Sequence, residues 1–215
     1  MKHYFNCDDV TIVDKQPVFQ GFFTIDRYRI RHALFAGGES ACFEREIFER
    51  GNSACVLLWD PLKDSLVMIE QFRVGALKHP LSPWLIELVA GMVEQNETPQ
   101  DVAVREAREE AGVEVKRLKS LGSYLSSPGG TTERVWLFIG EVDSSKAGGI
   151  HGLDNENEDI RVKVLDRAAL SENLFNYVAA EQGAAQCKSR VDNAATIICL
   201  QWLALHHQKL LKEWQ

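Results

Sequence analysis

The 215-residue sequence predicts an α+β fold: a layered α/β/α sandwich around a mixed sheet, with a small N-terminal β unit. Three observations carry that reading. Runs rich in β-branched and aromatic residues recur along most of the chain. Only a few segments show helical spacing. The two kinds do not alternate regularly, as repeated βαβ units would require.

Composition bounds the rest. At 45% hydrophobic and 26% charged the chain is that of an average globular protein, able to bury roughly 70% of its unfolded surface. A net charge of −7 argues against broad nucleic-acid binding and suits metal cations. The five cysteines are scattered, without metal-ligand spacing, and read as small buried hydrophobes of a reducing compartment. MKHYFNCDDV lacks an apolar signal core and no apolar run approaches 18 residues, so a cytoplasmic protein without membrane contact is expected.

The elements follow in order. YRIRHALF (28–35) alternates Tyr28, Ile30, His32 and Leu34 with Arg29, Arg31 and Ala33, which predicts a strand. Gly37–Gly38 turns it toward a second strand near 41–48. Residues 1–50 thus form a two- or three-stranded unit, too small to stand alone. The remainder, 51–215, is read as the main domain. ACVLLW (54–59), DPLKD and SLVMIEQF (65–72) predict a hairpin, and WLIELVAG (84–91) a further strand. A helix is expected at 98–111, strands at 115–125, 134–142 and 160–165, and helices at about 167–181 and 192–213. The last is read with an Asp192 cap and Ala195, Ile198, Cys199, Trp202 and Leu205 on its apolar face.

The chemistry concentrates in GMVEQNETPQDVAVREAREEAGV (91–113). Thr98, Pro99 and Asp101 form a helix start, Gly112 a stop, and Ala103, Ala107 and Ala111 a stripe small enough to lie close on a sheet. Glu106, Glu109 and Glu110 converge on one face. Like charges at that spacing repel. Arg105 can meet Glu109 across one turn, which leaves Glu106 and Glu110 unpaired locally. Converging hard carboxylates suit Mg²⁺ or Mn²⁺. Taken alone, however, such a run is also what a solvated charged helix face looks like.

The wider pattern resembles the Nudix box, G-x5-E-x7-R-E-U-x-E-E-x-G-U, with U aliphatic. Gly91, Glu97, Arg105, Glu106, Glu109, Glu110 and Gly112 fill every fixed position. Chance would produce that on the order of once in a million such chains. Val113 takes the final aliphatic slot, and Ala107 the first with a small residue. Pro128, in SSPGGTTE, lies fifteen residues past Val113, and GIHGLDNENEDIRV (149–162) follows. With these, nearly the whole chain is similar to the bacterial ADP-ribose pyrophosphatases.

That resemblance implies Mg²⁺-dependent hydrolysis of ADP-ribose to AMP and ribose 5-phosphate. Glu106, Glu110, Glu158 and the carbonyl of Ala90 would bind metal, with Mn²⁺ as a substitute. Glu156 would be the general base on a mobile acidic loop. Arg105, Glu109 and Glu97, with Gly91 and Gly112, would shape the loop–helix–loop. Phe22, Phe23, Arg45, Glu46 and Arg50 would hold the adenine end and phosphates, partly across a homodimer interface, and Arg73, Met92, Gly129 and Glu133 would line the pocket further. Stacking phenylalanines and forked arginines suit an adenine and a diphosphate. Read without the resemblance, Phe22 and Phe23 are also ordinary core residues, and Arg45 an ordinary surface one. Two other readings remain open: the same chemistry on another nucleoside diphosphate sugar such as GDP-mannose, or a non-catalytic ADP-ribose sensor. The intact glutamates count against the sensor.

Overall fold

The computed structural model of the protein describes residues 5–153, 157–172 and 191–214. The chain divides into two compact units, Met1–Asn52 with Leu125–Arg134, and Ser53–Tyr124 with Val135–Gln215.

In the first unit, β1 (Val10–Gln20), β2 (Thr24–His32) and β3 (Phe43–Glu49) form an antiparallel sheet in that order. The expected strand at 28–35 begins earlier and ends at His32, because the Ala33 N–H donates to Asp9 O and the chain turns. All eleven residues of β1 are exposed. Register shifts interrupt it at Ile12/Asp14 and Pro17/Phe19. Pro17 has no N–H to give a ladder, so an irregular edge strand is where it fits. Residues 125–134 join this unit: Phe48 N–H donates to Gly130 O at 2.8 Å, and Thr131 Oγ1 donates to Phe48 O at 2.7 Å.

The second unit is built on a mixed sheet. Its strands are β4 (Ser53–Asp60), β5 (Ser65–Phe72), β6 (Trp84–Glu87), β7 (Val89–Met92), β8 (Arg117–Leu125), β9 (Arg134–Glu141), β10 (Ile150–His151) and β11 (Ile160–Asp166). The order runs β10-β11-β5-β4-β9-β8, with β6 on β5 and β7 on β4. β4 runs parallel to β9 and antiparallel to β5. The predicted single strand at 84–91 is two. It changes partner at Leu88, whose N–H leaves the ladder for Thr196 Oγ1.

Among the described residues three α-helical segments are seen: α1 (Pro99–Ala111), α2 (167–172) and α3 (Ala194–Trp214). Residues 173–181 of the second expected helix lie outside the described residues. α1 places Val102, Ala103, Ala107 and Ala111 against Ala54, Val56, Leu58, Val67 and Ile69. On the opposite face Leu57, Trp59, Leu66 and Met68 meet Cys199, Leu200, Leu203, Leu210 and Trp214 of α3. Alternate residues of β4 thus feed two cores, which is the expected α/β/α layering. The apolar face of α3 is rotated from the expected one: Cys199 is buried, but Leu205 is exposed. Its cap is Asn193, whose Oδ1 accepts from Thr196 N–H at 2.8 Å, while Asp192 pairs with His79. Cys55 and Cys199 are buried as expected, Cys7 and Cys42 are exposed, and Cys187 lies outside the described residues. No described helix is long and apolar enough to cross a membrane.

Candidate active site

The site begins with how α1 is started and stopped. Thr98 accepts from Asp101 N–H at 3.2 Å and Asp101 accepts from Thr98 N–H at 3.1 Å, a reciprocal cap with Pro99 in the first turn. At the other end Gly112 has φ +64°, and Val113 N–H reaches back to Ala107 O. The alanine stripe fixes which face is buried. Glu110 and Glu106 therefore flank the stripe, while Arg105 and Glu109 lie further round toward the outer face.

Arg105 is the organiser. Its Nε and Nη2 donate to both oxygens of Glu97 at 2.9 and 3.1 Å, and Nη1 donates to Glu109 at 2.9 Å and Glu106 at 2.8 Å. The bond to Glu106 corrects the expectation that Glu106 has no local partner. Glu97 holds the Arg105 guanidinium still more firmly protonated, and Arg105 in turn holds the Glu97 carboxyl below its ordinary range.

Glu106 and Glu110 are the anomalous pair. Burial, with Glu109 and Glu158 adding repulsion, pushes Glu106 up to about 7 against the pull of Arg105. Glu110 is only 3% exposed, and burial with the Glu106 and Glu158 charges pushes it up to about 8. The Ala90 N–H, 3.0 Å from Glu110 Oε2, and the Arg73 charge oppose that rise without cancelling it. A buried carboxylate beside a mostly buried one, with too little positive charge nearby, suits a divalent cation. Glu158 lies within their electrostatic reach, and its own Oε2 accepts from Leu153 N–H at 3.3 Å. Among the described residues no three acidic, His or Cys side chains form a complete ligand set. One or two carboxylates with water and substrate oxygens is the usual manner of holding Mg²⁺. Glu156 lies outside the described residues.

β7 brings Ala90 to Glu110 and Gly91 to Glu106, with Met92 exposed at its end; the three pair with Cys55, Ala54 and Ser53. Arg73, just past β5, donates from Nε to Glu87 Oε2 at 2.6 Å. Glu87 is a residue that sequence reasoning missed. Its signal was a lone carboxylate inside the apolar run WLIELVAG.

In the first unit, Phe23 meets Phe22 and Phe48 edge-on at 4.7 and 5.0 Å. Arg50 lies 6.0 Å over the Phe23 ring and donates to Glu133 at 2.6 Å. Glu133 is 6% exposed, whereas Phe22 is 89% exposed, a ring presented to solvent rather than to core. Gly129 sits in the turn closed by Gly130 and Thr131 N–H donating to Ser127 O. Phe22, Phe23, Arg50 and Glu133 are thus joined by contacts. Arg45 and Glu46 are not: Arg45 packs over Phe43 at 4.7 Å, while Glu46 accepts from Arg27 at 3.1 Å on the other face of β3.

The NUDIX domain matches residues 49–183. The chain belongs to the NUDIX family. The ADP-ribose pyrophosphatase of Escherichia coli is 50% identical over 210 residues, covering 98% of this chain and 95% of that protein. The Haemophilus influenzae ADP-ribose pyrophosphatase is 45% identical over 215 residues, covering 99% and 94%. A GDP-mannose pyrophosphatase of Escherichia coli is 36% identical over 156 residues, covering 71% and 79%. The crystal structure of an ADP compounds hydrolase matches with a TM-score of 0.63 over 94% of this chain and 98% of that one, at 16% identity, which shows a shared fold.

Proposed function

We propose that this NUDIX protein hydrolyses the diphosphate of ADP-ribose to AMP and ribose 5-phosphate with Mg²⁺, for which Mn²⁺ can substitute. The observation that carries the reading is the Glu106–Glu110 carboxylate pair within a complete box, on a chain half identical to an ADP-ribose pyrophosphatase. Glu106, Glu110, Glu158 and the Ala90 carbonyl would hold the ion. When bound, the ion neutralises the diphosphate and lowers the pKa of a water. Arg73 and Arg50 would hold phosphate oxygens, and Phe22 and Phe23 would stack the adenine. Glu156 takes the proton of the attacking water as one P–O–P bond breaks. Arg105 works at one remove, fixing Glu106 and Glu109. Arg45, Glu46, Met92, Gly129 and Glu133 are proposed as further substrate contacts.

The same reading makes the protein a cytoplasmic homodimer acting on a small nucleotide sugar. The exposed Val10, Ile12, Val13, Val18 and Phe19 of edge strand β1 support the dimer, since a long apolar edge needs covering. Exposed free Cys7 and Cys42 fit a reducing compartment.

The test is incubation with Mg²⁺ and a panel of nucleoside diphosphate sugars, followed by chromatography of the products. ADP-ribose should give AMP with a kcat/KM at least about tenfold above GDP-mannose. The reverse preference, which the GDP-mannose pyrophosphatase relative makes worth measuring, would overturn the substrate. Tight ADP-ribose binding without turnover would instead support a sensor.

A further inference from the structure

We propose that Glu87 and Asn193 are positioning residues which together aim the Arg73 guanidinium, so that the N-terminus of α3 sets the affinity of the site for its diphosphate. The proposal rests on the reading of Arg73 as a phosphate-binding group.

Glu87 is 7% exposed at the end of β6, in the middle of an otherwise apolar run. A carboxylate buried there is costly unless both oxygens are used. Both are: Oε2 accepts Arg73 Nε–H at 2.6 Å and Oε1 accepts Asn193 Nδ2–H at 2.6 Å. Asn193 is itself fixed, because its Oδ1 caps α3 by accepting from Thr196 N–H. The neighbouring Leu88 N–H is held by Thr196 Oγ1 at 3.2 Å. The first turn of α3 thus grips both the side chain of Glu87 and the backbone at the point where β6 becomes β7.

The consequence falls on Arg73. Among the described residues Glu87 is the one acceptor its guanidinium meets, and it meets it through Nε alone. A guanidinium is planar with five donors, so anchoring Nε fixes the plane and leaves the Nη edge to bind an anion. The side chain is 41% exposed, and its charge is already felt at Glu110. It therefore lies within electrostatic reach of Glu110, with its Nη edge making no bond to a described residue. An arginine so held loses little freedom when a phosphate arrives, which is how preorganisation raises affinity.

Three variants test this. Glu87→Gln keeps the shape but removes the charge, Arg73→Ala removes the aimed group, and Asn193→Ser keeps a helix cap while deleting the Nδ2 donor. KM for ADP-ribose should rise on the order of tenfold in Glu87→Gln and about threefold in Asn193→Ser, with kcat nearly unchanged. Neither should cause further loss in the Arg73→Ala background, since all act through one group. Additive losses, or unchanged KM in both folded variants, would overturn the relay. A second readout does not depend on turnover. The Arg73 Nε–H signal in ¹⁵N-arginine NMR, assigned by its loss in Arg73→Ala, should exchange slowly with solvent and at least about tenfold faster in Glu87→Gln and Asn193→Ser. Faster exchange in a protein inactive on ADP-ribose would keep the relay and discard the substrate. Hydrolysis of ADP-ribose with unaltered exchange and KM would do the opposite.

Discussion

A β-carbon on Gly91 would lie 1.7 Å from Oε1 of Glu106. The box glycine is therefore required by close approach rather than by a turn: the Glu106 side chain fills the space beside β7 that a β-carbon would take. Gly91→Ala must displace the Glu106 carboxylate, because the strand is held by its pairing with Ala54. Activity should fall at least about hundredfold, with thermal unfolding lowered by several degrees. Wild-type turnover in this variant would show that the position of Glu106 does not matter.

Glu106→Gln and Glu110→Gln should each lower kcat by at least about a hundredfold with the fold intact. Each is nearly isosteric and removes a charge that burial disfavours, so stability should hold or rise. Calorimetric Mg²⁺ titration should show weakened binding in both. Near-normal rates in saturating Mg²⁺ would remove these residues from the metal site.

The box helix was legible because its determinants are local: a cap at Thr98, a stop at Gly112 and an alanine stripe that picks the buried face. What escaped depends on partners distant in sequence. The run 84–91 is apolar enough to read as one strand, and only the switch from β5 to β4 as neighbour divides it. Asp192 and Asn193 are both competent caps, and Asn193 serves because Glu87, far back in the chain, takes its amide. β1 was not located because Pro17 and the charges at Asp14 and Lys15 hide any period on a strand with no buried face. Glu106 and Arg105 are adjacent on the helix and should not face each other, yet the long guanidinium bends back to reach the carboxylate.

Asp60 should make stability depend on acid. It is 2% exposed, and its oxygens accept from Leu62 and Lys63 N–H and from both the N–H and hydroxyl of Ser144. Burial alone would raise its pKa, but the Ser144, Lys63 and Leu62 bonds pull it below the ordinary 3.8. A depressed native value stabilises the fold above the unfolded pKa, and that contribution is lost as pH falls through the native one. Asp60→Asn should cost about 2 kcal/mol at pH 7 by urea unfolding. The gap should narrow once the pH drops below 3.8. A constant gap from neutral to acid pH would contradict it.

Glu156 and Glu158 should separate by role. Glu156→Gln is expected to cut kcat while leaving metal-dependent substrate binding nearly intact, because a base acts on the proton of water. Glu158→Gln should weaken the ion itself, as its charge already reaches Glu106 and Glu110. Equal loss of metal affinity in both variants would erase the distinction.

The dimer can be tested by complementation. Edge strand β1 leaves apolar side chains exposed along its length, and a C2 pair would cover them symmetrically. If the proposed contacts of Arg45 serve the partner's site, two inactive proteins should rescue each other when mixed. Arg45→Ala carries a sound Glu110, and Glu110→Gln a sound Arg45. After subunit exchange each heterodimer holds one site with both good halves and one with neither, so it should regain about half of normal activity. Sedimentation would verify the pairing. No recovery after confirmed exchange, or full activity from a monomer at nanomolar concentration, would refute a shared site and leave Arg45 to act within its own chain.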